Sequence, residues 1–283
     1  MKQALITGAT GFVGKHVLRI LKSKNINLTA VIRNGKEKKD IEFSSIKNII
    51  TTNNLFLENS EWWEEKCRGI DIVIHIAWYT EPGKYQNSTK NLECLIGSLN
   101  LAKGAIKAGV KKFVGIGTCF EYDLIEPVLS TDSPLKPSTP YADAKTALYL
   151  TLNHLLPMHN IEFNWCRLFY LFGEGEDARR LTPYLHSQLK KNKIAELSSG
   201  KQIRDFLDVA DAAKMIVEVI FGKKTGPFNI CSGIPITIRQ FAENIADEYG
   251  KRNLLKFNVK PDDLTNPLQV LGEPSVDLKK IVK

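Results

Sequence analysis

The stretch LITGATGFVGKHVL, Leu5 to Leu18, decides how the rest of the chain is read. A short apolar run enters a turn with Gly8, Gly11 and Gly14 at spacings of three, and an amphipathic run leaves it. Gly8 permits the tight turn, Gly11 lets a pyrophosphate approach the backbone, and Gly14 lets helix and strand pack closely. The helix that follows offers free N–H groups and a partial positive charge to the phosphates. A glycine turn without a ligand is the plain alternative. The strand before it and the helix after it argue against that.

Outward from this turn, the first half alternates strand and helix signals. QALIT (3–7), LTAVI (28–32), KNIIT (47–51), DIVIHI (71–76) and KKFVGIG (111–117) are short, β-branched and apolar, as buried parallel strands are. Val13, Val17, Ile20 and Leu21 share one helical face. A longer helix runs from about Ser88 to Ala108, with Leu92, Leu95, Ile96, Leu99, Ala102 and Ile106 recurring at helical spacing. The expected fold is α/β: a Rossmann-like, doubly wound parallel sheet covered on both faces. Beyond about residue 165 the pattern changes. Helices are expected near 183–192, 209–221 and after Thr237, a plausible N-cap, with a strand at PFNIC between the last two. We divide the chain into a dinucleotide-binding domain, 1–168, and a smaller C-terminal α/β lobe, 169–283, partly interleaved with it and laid over the carboxyl edge of the sheet.

The chain has 283 residues and 43% hydrophobic content, enough for a sizeable core. No apolar run approaches the ~20 residues of a membrane span. MKQALI is too short for a secretory signal, which gives the expectation of a soluble cytoplasmic protein. Five cysteines, none in a CxxC pair, read as buried thiols in a reducing compartment, and the five scattered histidines suggest no metal site. The net charge of +8 comes from dispersed lysines rather than a basic run interleaved with aromatics, so nucleic acid is not the expected partner. A positive potential also concentrates small, highly anionic molecules.

The second strand ends at Arg33, with Lys36, Lys38 and Lys39 close behind and no acidic residue at its tip. A carboxylate there would bind a ribose 2′-OH, whereas a basic tip accommodates a 2′-phosphate. NADP(H) is therefore the expected cofactor, with NAD(H) as the alternative. Further along, STPYADAKTAL (138–148) holds Tyr141 and Lys145 at i, i+4, on one helical face. An ammonium beside a phenol favours the phenolate and makes Tyr141 a usable acid or base. Ser138 or Thr139 can cap this helix, and Pro140 suits its first turn. Thr118 stands at the carboxyl end of the fifth strand, where open α/β sheets place their ligands.

Together these residues resemble the extended short-chain dehydrogenase/reductase family, in particular its nucleotide-sugar epimerases, dehydratases and reductases, over nearly the whole chain. TGATGFVG is similar to the cofactor loop, DIVIHIAW to the fourth strand, GTCFEYD to the Ser/Thr segment and PYADAK to the YxxxK motif. The resemblance implies catalytic roles for Thr118, Tyr141 and Lys145. It implies cofactor contacts from Gly8, Thr10, Gly11, Phe12, Val13, Arg33, Asn54, Leu55, Ala77, Tyr141 and Lys145. GKQIRDFLDVADAA is similar to the segment whose Arg holds the diphosphate of a nucleotide sugar, which gives that role to Arg204. An ion pair of Arg204 with Asp205 or Asp208 is the structural alternative. Thr118, Tyr170 and Asn229 complete the implied substrate contacts, and the family implies a homodimer through the 88–108 and Tyr141 helices.

Departures from the family narrow the reaction. Sugar 4,6-dehydratases carry Asp-Glu directly after the catalytic Thr, where this chain has Cys119 and Phe120. GDP-fucose synthases have a Cys and a His where this chain has Phe120 and Gly175. Hydride transfer at a sugar C4 is what remains. The expected activity is reduction of a nucleotide-linked 4-keto-6-deoxyhexose. A 4-epimerase is the runner-up, and a catalytically silent NADP-binding regulator comes third.

Overall fold

The computed structural model describes residues 1–35, 46, 48–262 and 267–278. Lys36, Lys38 and Lys39 lie outside the described residues. The β-branched runs form a seven-stranded sheet in which every pairing is parallel. Its strands are β1 (Lys2–Thr7), β2 (Ile26–Arg33), β3 (Asn48–Thr52), β4 (Ile72–His75), β5 (Lys112–Thr118), β6 (Glu162–Leu168) and β10 (Gly226–Ile230). Their order is β10-β6-β5-β4-β1-β2-β3, so the winding reverses between β1 and β4. A crevice opens beyond the strand ends at such a switch point, and ligands bind there.

Helices cover both faces, as the two-sided burial of the strands demands. On one face, α1 (Phe12–Leu21) and α6 (Val209–Phe221) pack Val17, Leu18, Leu21, Met215 and Ile216 against Ile6, Ile32 and Ile74. On the other, α2 (Ser60–Cys67), α3 (Lys90–Ala108) and α4 (Pro140–Met158) pack Trp63, Leu101, Leu148 and Leu152 against Leu5, Val73 and Phe113. Each such side chain contributes roughly 1.5–3 kcal/mol when fully withdrawn from water.

The later chain builds a smaller unit beside the sheet. β7 (Tyr170–Phe172), β9 (Ile203–Asp208), β11 (Pro235–Thr237) and β13 (Gln269–Val270) form a second sheet, and β8 (Ala195–Glu196) pairs with β12 (Leu255–Lys256). α5 (Leu181–Lys190) and α7 (Ile238–Asp247) close a separate cluster around Leu185, Leu189, Phe241 and Ile245. Thr237 caps α7 in a reciprocal capping box with Gln240. α6 and β10 return to the large sheet, which threads the two units together.

Candidate active site

The dinucleotide end is built from backbone. Gly8 sits at φ +74°, and a Cβ on it would lie 2.5 Å from the Ala77 nitrogen. A Cβ on Gly14 would lie 2.0 Å from the Gly8 carbonyl oxygen. Gly11 donates its N–H to that same oxygen at 3.0 Å and caps α1 without a side chain. The first turn of α1 carries no acidic residue, so its N–H groups stay open to an anion. Thr10, Phe12 and Val13 are half-buried around this turn. The geometry fits the pyrophosphate of a dinucleotide, with Ala77 at the adjoining end of β4.

Two other expected cofactor residues lie at the ends of β2 and β3. Asn54 accepts the Phe56 N–H at 3.1 Å and starts a single 3-10 turn, Leu55–Leu57. Arg33 is exposed at the end of β2. Beneath the crevice, His75 bonds Thr7 Oγ1 and Ser98 Oγ, each at 2.8 Å. Burial, together with the Lys145 charge, pushes His75 down to about 3, so the imidazole is neutral. The loop after β7 lies against α1, where the His16 Nε2 bonds the Glu174 carbonyl oxygen at 2.8 Å.

At the reacting end, Thr139 accepts the Ala142 N–H at 3.2 Å and Pro140 opens α4. Tyr141 is only 8% exposed, and its helix packs against the turn that follows Thr118. The Tyr85 ring meets it edge-on at 4.8 Å and the Trp78 ring at 6.5 Å. Lys145 is 3% exposed; its Nζ donates to the Ile116 carbonyl at 2.7 Å and lies 3.7 Å from the centre of the Trp78 ring. The expectation that Lys145 draws the Tyr141 pKa down does not match this geometry. Burial pushes the Tyr141 phenol above its usual range, and the group that opposes this is Thr118. Burial pushes Lys145 down to about 7.

Thr118 ends β5 and is held from below. Its N–H donates to Glu121 Oε1 at 2.8 Å. Glu121 is fully buried, and its carboxylate accepts from Trp165 Nε1 at 3.0 Å and from Arg167 Nε at 2.7 Å. Space for this comes from two glycines in β5. A Cβ on Gly115 would strike the Trp165 ring at 2.5 Å, and one on Gly117 would strike Trp165 Nε1 at 2.2 Å. Arg167 also donates to Tyr122 Oη at 2.9 Å, and Tyr122 donates to Asn229 Oδ1 at 2.7 Å. Asn229 Nδ2 then donates to the Leu129 carbonyl at 2.8 Å. Asn229 is fully buried, and both ends of its amide are spent in this network. The expected substrate contact from Asn229 is thus corrected to an internal one.

The other two expected substrate residues lie against each other, beside the segment that follows Thr118. Tyr170 meets Phe120 at 6.1 Å, and the Arg204 guanidinium lies 5.2 Å from the centre of the Tyr170 ring. Arg204 donates to the Ile203 carbonyl at 2.8 Å and to Gln202 Oε1 at 3.0 Å. Neither Asp205 nor Asp208 pairs with it. Asp205 accepts from Ser232 and Gly233, and Asp208 caps α6 through the Ala210 N–H. Among the described residues no carboxylate forms an ion pair with Arg204, which is buried.

Trp78, Tyr85 and Glu121 are the site residues that sequence reasoning assigned no role. The paired glycines of β5 were a readable sign of Trp165 and Glu121, because a buried strand gives up side chains only where something else needs the room. Among the described residues no group of three or more His, Cys, Asp or Glu could hold a metal ion, and no helix is long and apolar enough to cross a membrane. All five cysteines are buried.

Known proteins are similar to this chain in sequence and in fold. The chain is 25% identical to dTDP-6-deoxy-L-talose 4-dehydrogenase (NAD(+)) of Aggregatibacter actinomycetemcomitans, over 95% of this chain and 98% of that protein. It is 26% identical to CDP-abequose synthase of Salmonella typhimurium, over 84% of this chain and 77% of that protein. Its fold matches a UDP-N-acetylglucosamine 4-epimerase from Methanobrevibacter ruminantium with a TM-score of 0.84 and 21% identity, covering 99% of this chain and 91% of that one. Residues 4–231 match the family described as the NAD dependent epimerase/dehydratase family. The glycine cradle at the β1/β4 switch point and the grouped Thr118, Tyr141 and Lys145 belong to an enzyme of that family, within the extended short-chain dehydrogenase/reductases.

Proposed function

We propose that this enzyme reduces the C4 carbonyl of a nucleotide-linked 4-keto-6-deoxyhexose with NADPH. The observation that carries the reading is the grouping of Thr118, Tyr141 and Lys145 with no free carboxylate in the segment after Thr118. Elimination of water needs such a carboxylate. Cys119 is buried, and its burial pushes the thiol up to about 12, so it is no acid. Phe120 cannot carry a proton, and Glu121 is committed to Arg167. The printed names of relatives such as dTDP-6-deoxy-L-talose 4-dehydrogenase and GDP-6-deoxy-D-talose 4-dehydrogenase support C4 chemistry on a 6-deoxy sugar.

Gly8, Thr10, Gly11, Phe12 and Val13 would hold the pyrophosphate, Asn54 and Leu55 the adenine end, and Arg33 the 2′-phosphate. Ala77 would line the nicotinamide, and Tyr141 and Lys145 its ribose. The bound dinucleotide supplies the hydride. Thr118 Oγ1 donates to the sugar carbonyl oxygen and orients it. Tyr141 gives its phenolic proton to that oxygen as charge develops there. Desolvation keeps the phenol protonated until then, which suits an acid in the direction of reduction. Arg204 and Tyr170 hold the diphosphate end of the substrate. Exposed Leu92 and Ile96 on α3 and Leu150 on α4 support a homodimer across these helices.

The test is NADPH consumption against dTDP-, CDP-, GDP- and UDP-linked 4-keto-6-deoxyhexoses. One NADP⁺ released per sugar reduced is the expected result. Interconversion of C4 epimers with no net loss of NADPH would replace this reading with a 4-epimerase. Tight NADPH binding without turnover of any sugar would replace it with a silent regulator.

A further inference from the structure

Lys145 presents a problem that the rest of the site does not solve. Its ammonium is buried beneath the crevice, and among the described residues no carboxylate pairs with it. An unpaired buried charge is costly and ordinarily neutralises. The groups facing it can be named element by element. β5 offers the Ile116 carbonyl at 2.7 Å. β6 offers the Trp165 ring at 5.7 Å. β4 contributes His75, which burial keeps neutral, and α3 contributes Cys94, whose thiol burial pushes up to about 11. The turn after β5 contributes Glu121, whose carboxylate is already matched by Arg167 at 2.7 Å. The segment after β4 contributes Trp78, with its ring centre 3.7 Å from Nζ.

Trp78 is itself fixed. Its Nε1 donates to Asn91 Oδ1 at 2.9 Å, and Asn91 Nδ2 donates in turn to the carbonyls of Tyr85 at 2.6 Å and Ser88 at 2.9 Å. Asn91 lies on α3, so the indole is oriented by a helix rather than by a loose loop. The ring also meets Phe56 edge-on at 6.4 Å. A ring held in this way presents its negative face to the cation at a distance where the attraction is strong, and low solvent access strengthens it further.

We propose that Trp78 is a positioning residue for the reaction: its indole face, oriented by Asn91, takes the place of a counter-ion, holding the Lys145 ammonium charged and aimed at the crevice. An aromatic face is suited to this task because it stabilises the cation without neutralising it. A carboxylate there would cancel the charge that the ribose hydroxyls need. The proposal rests on the reading of Lys145 as part of the catalytic group.

The sign of the effect follows from burial. Burial pushes Lys145 down to about 7 although the Glu121 and Cys94 charges oppose it. An indole face 3.7 Å away favours the ammonium in the same sense as those charges. Loss of the face should lower the Lys145 pKa further. Activity that needs the ammonium is lost as pH rises through that pKa, so the alkaline limb of the kcat profile should move to lower pH.

The experiment compares Trp78→Phe and Trp78→Leu with the wild type. The Lys145 titration is followed by its ¹³Cε resonance in cofactor-free protein, assigned by its loss in Lys145→Arg. Trp78→Leu should lower that titration by about one pH unit and shift the alkaline limb of kcat in the same direction. Trp78→Phe, which keeps a face, should shift both by less. If Trp78→Leu does not fold, trifluorotryptophan introduced at position 78 alone keeps the shape while emptying the ring face, and the titration should fall in the same sense. An unchanged Lys145 titration in the Leu variant or the fluorinated protein overturns the proposal. Because the titration is read without substrate, it stands apart from the sugar assay: a wrong substrate class would leave it untouched.

Discussion

At the dinucleotide loop, close contacts run from backbone to backbone: Gly8 against Ala77, Gly14 against the Gly8 carbonyl, Gly11 onto the same oxygen. At the reacting end, contacts run between side chains from six places in the chain. Thr118 and Glu121 come from β5 and the turn after it, Trp165 and Arg167 from β6, Tyr141 and Lys145 from α4. Trp78 follows β4, Tyr122 follows Glu121, and Asn229 lies on β10. A cradle made of backbone needs only residues small enough not to obstruct it, and it binds what all dinucleotides share. A network of side chains needs each partner present, and it can be retuned for one reaction. The first kind of construction tolerates no Cβ; the second tolerates exchange only in matched pairs.

The largest test of this contrast is Tyr141→Phe. The change removes one hydroxyl from the reacting end and leaves the glycine cradle intact. We expect kcat to fall by roughly 10²–10⁴-fold while the NADPH dissociation constant, read by fluorescence titration, stays within about twofold. Near wild-type turnover would remove Tyr141 from the chemistry. A matching loss of NADPH affinity would show instead that the two ends are not separable.

Next comes the buried pair. Glu121→Gln leaves Arg167 without a counter-charge in a dry site, a change that typically costs about 3–5 kcal/mol. The melting temperature should drop by several degrees in differential scanning calorimetry. Glu121→Gln combined with Arg167→Met removes both charges and should recover most of that loss. A single variant that melts with the wild type would mean that Arg167 is satisfied by water, and the network is then looser than its distances imply.

Arg204→Ala tests whether the substrate side can be weakened alone. A guanidinium that grips a diphosphate bidentately is worth about tenfold in KM, or ~1.4 kcal/mol. KM for the nucleotide sugar should rise by that factor, with the KM for NADPH unchanged. Arg204→Lys keeps the charge without the fork and should fall between the two. An unaltered sugar KM in the Ala variant would assign Arg204 to ordering Gln202 and Ile203 rather than to the substrate.

The same contrast governs what the sequence made legible. Four of the five strands of the first half were readable because two-sided burial forces β-branched runs of four to eight residues. β3, at the sheet edge and largely exposed, was readable from its β-branched residues alone. The glycine loop was readable because its constraint is local. Thr139 and Thr237 were readable as caps because capping is a short-range exchange of hydrogen bonds. By contrast β8, β12 and β13, two residues each, carry no periodicity to detect. Asn229 was misread because its partners, Tyr122 and Leu129, lie about a hundred residues away and leave no local trace. Trp78 stood in a stretch already matched to a strand, and only the folded chain brings Lys145 onto its face.

The smallest expected effect lies at the outer edge of the cradle, where the backbone stops selecting and a side chain takes over. Arg33 ends β2 opposite Thr52 and points its charge into solvent, with no acidic residue at the strand tip. A phosphate bound there is only partly desolvated, so the gain from one guanidinium is modest and falls with salt. We expect kcat/KM to favour NADPH over NADH in the wild type, by about tenfold at low ionic strength and less at high. Arg33→Asp removes the phosphate partner, adds repulsion toward a 2′-phosphate and offers a carboxylate to a 2′-hydroxyl. The ratio should fall toward or below one, chiefly through KM for NADPH, with kcat for either cofactor nearly constant because the reacting end is untouched. Equal efficiency with both cofactors in the wild type would show that Arg33 does not select, and that the cradle accepts whatever pyrophosphate it is given.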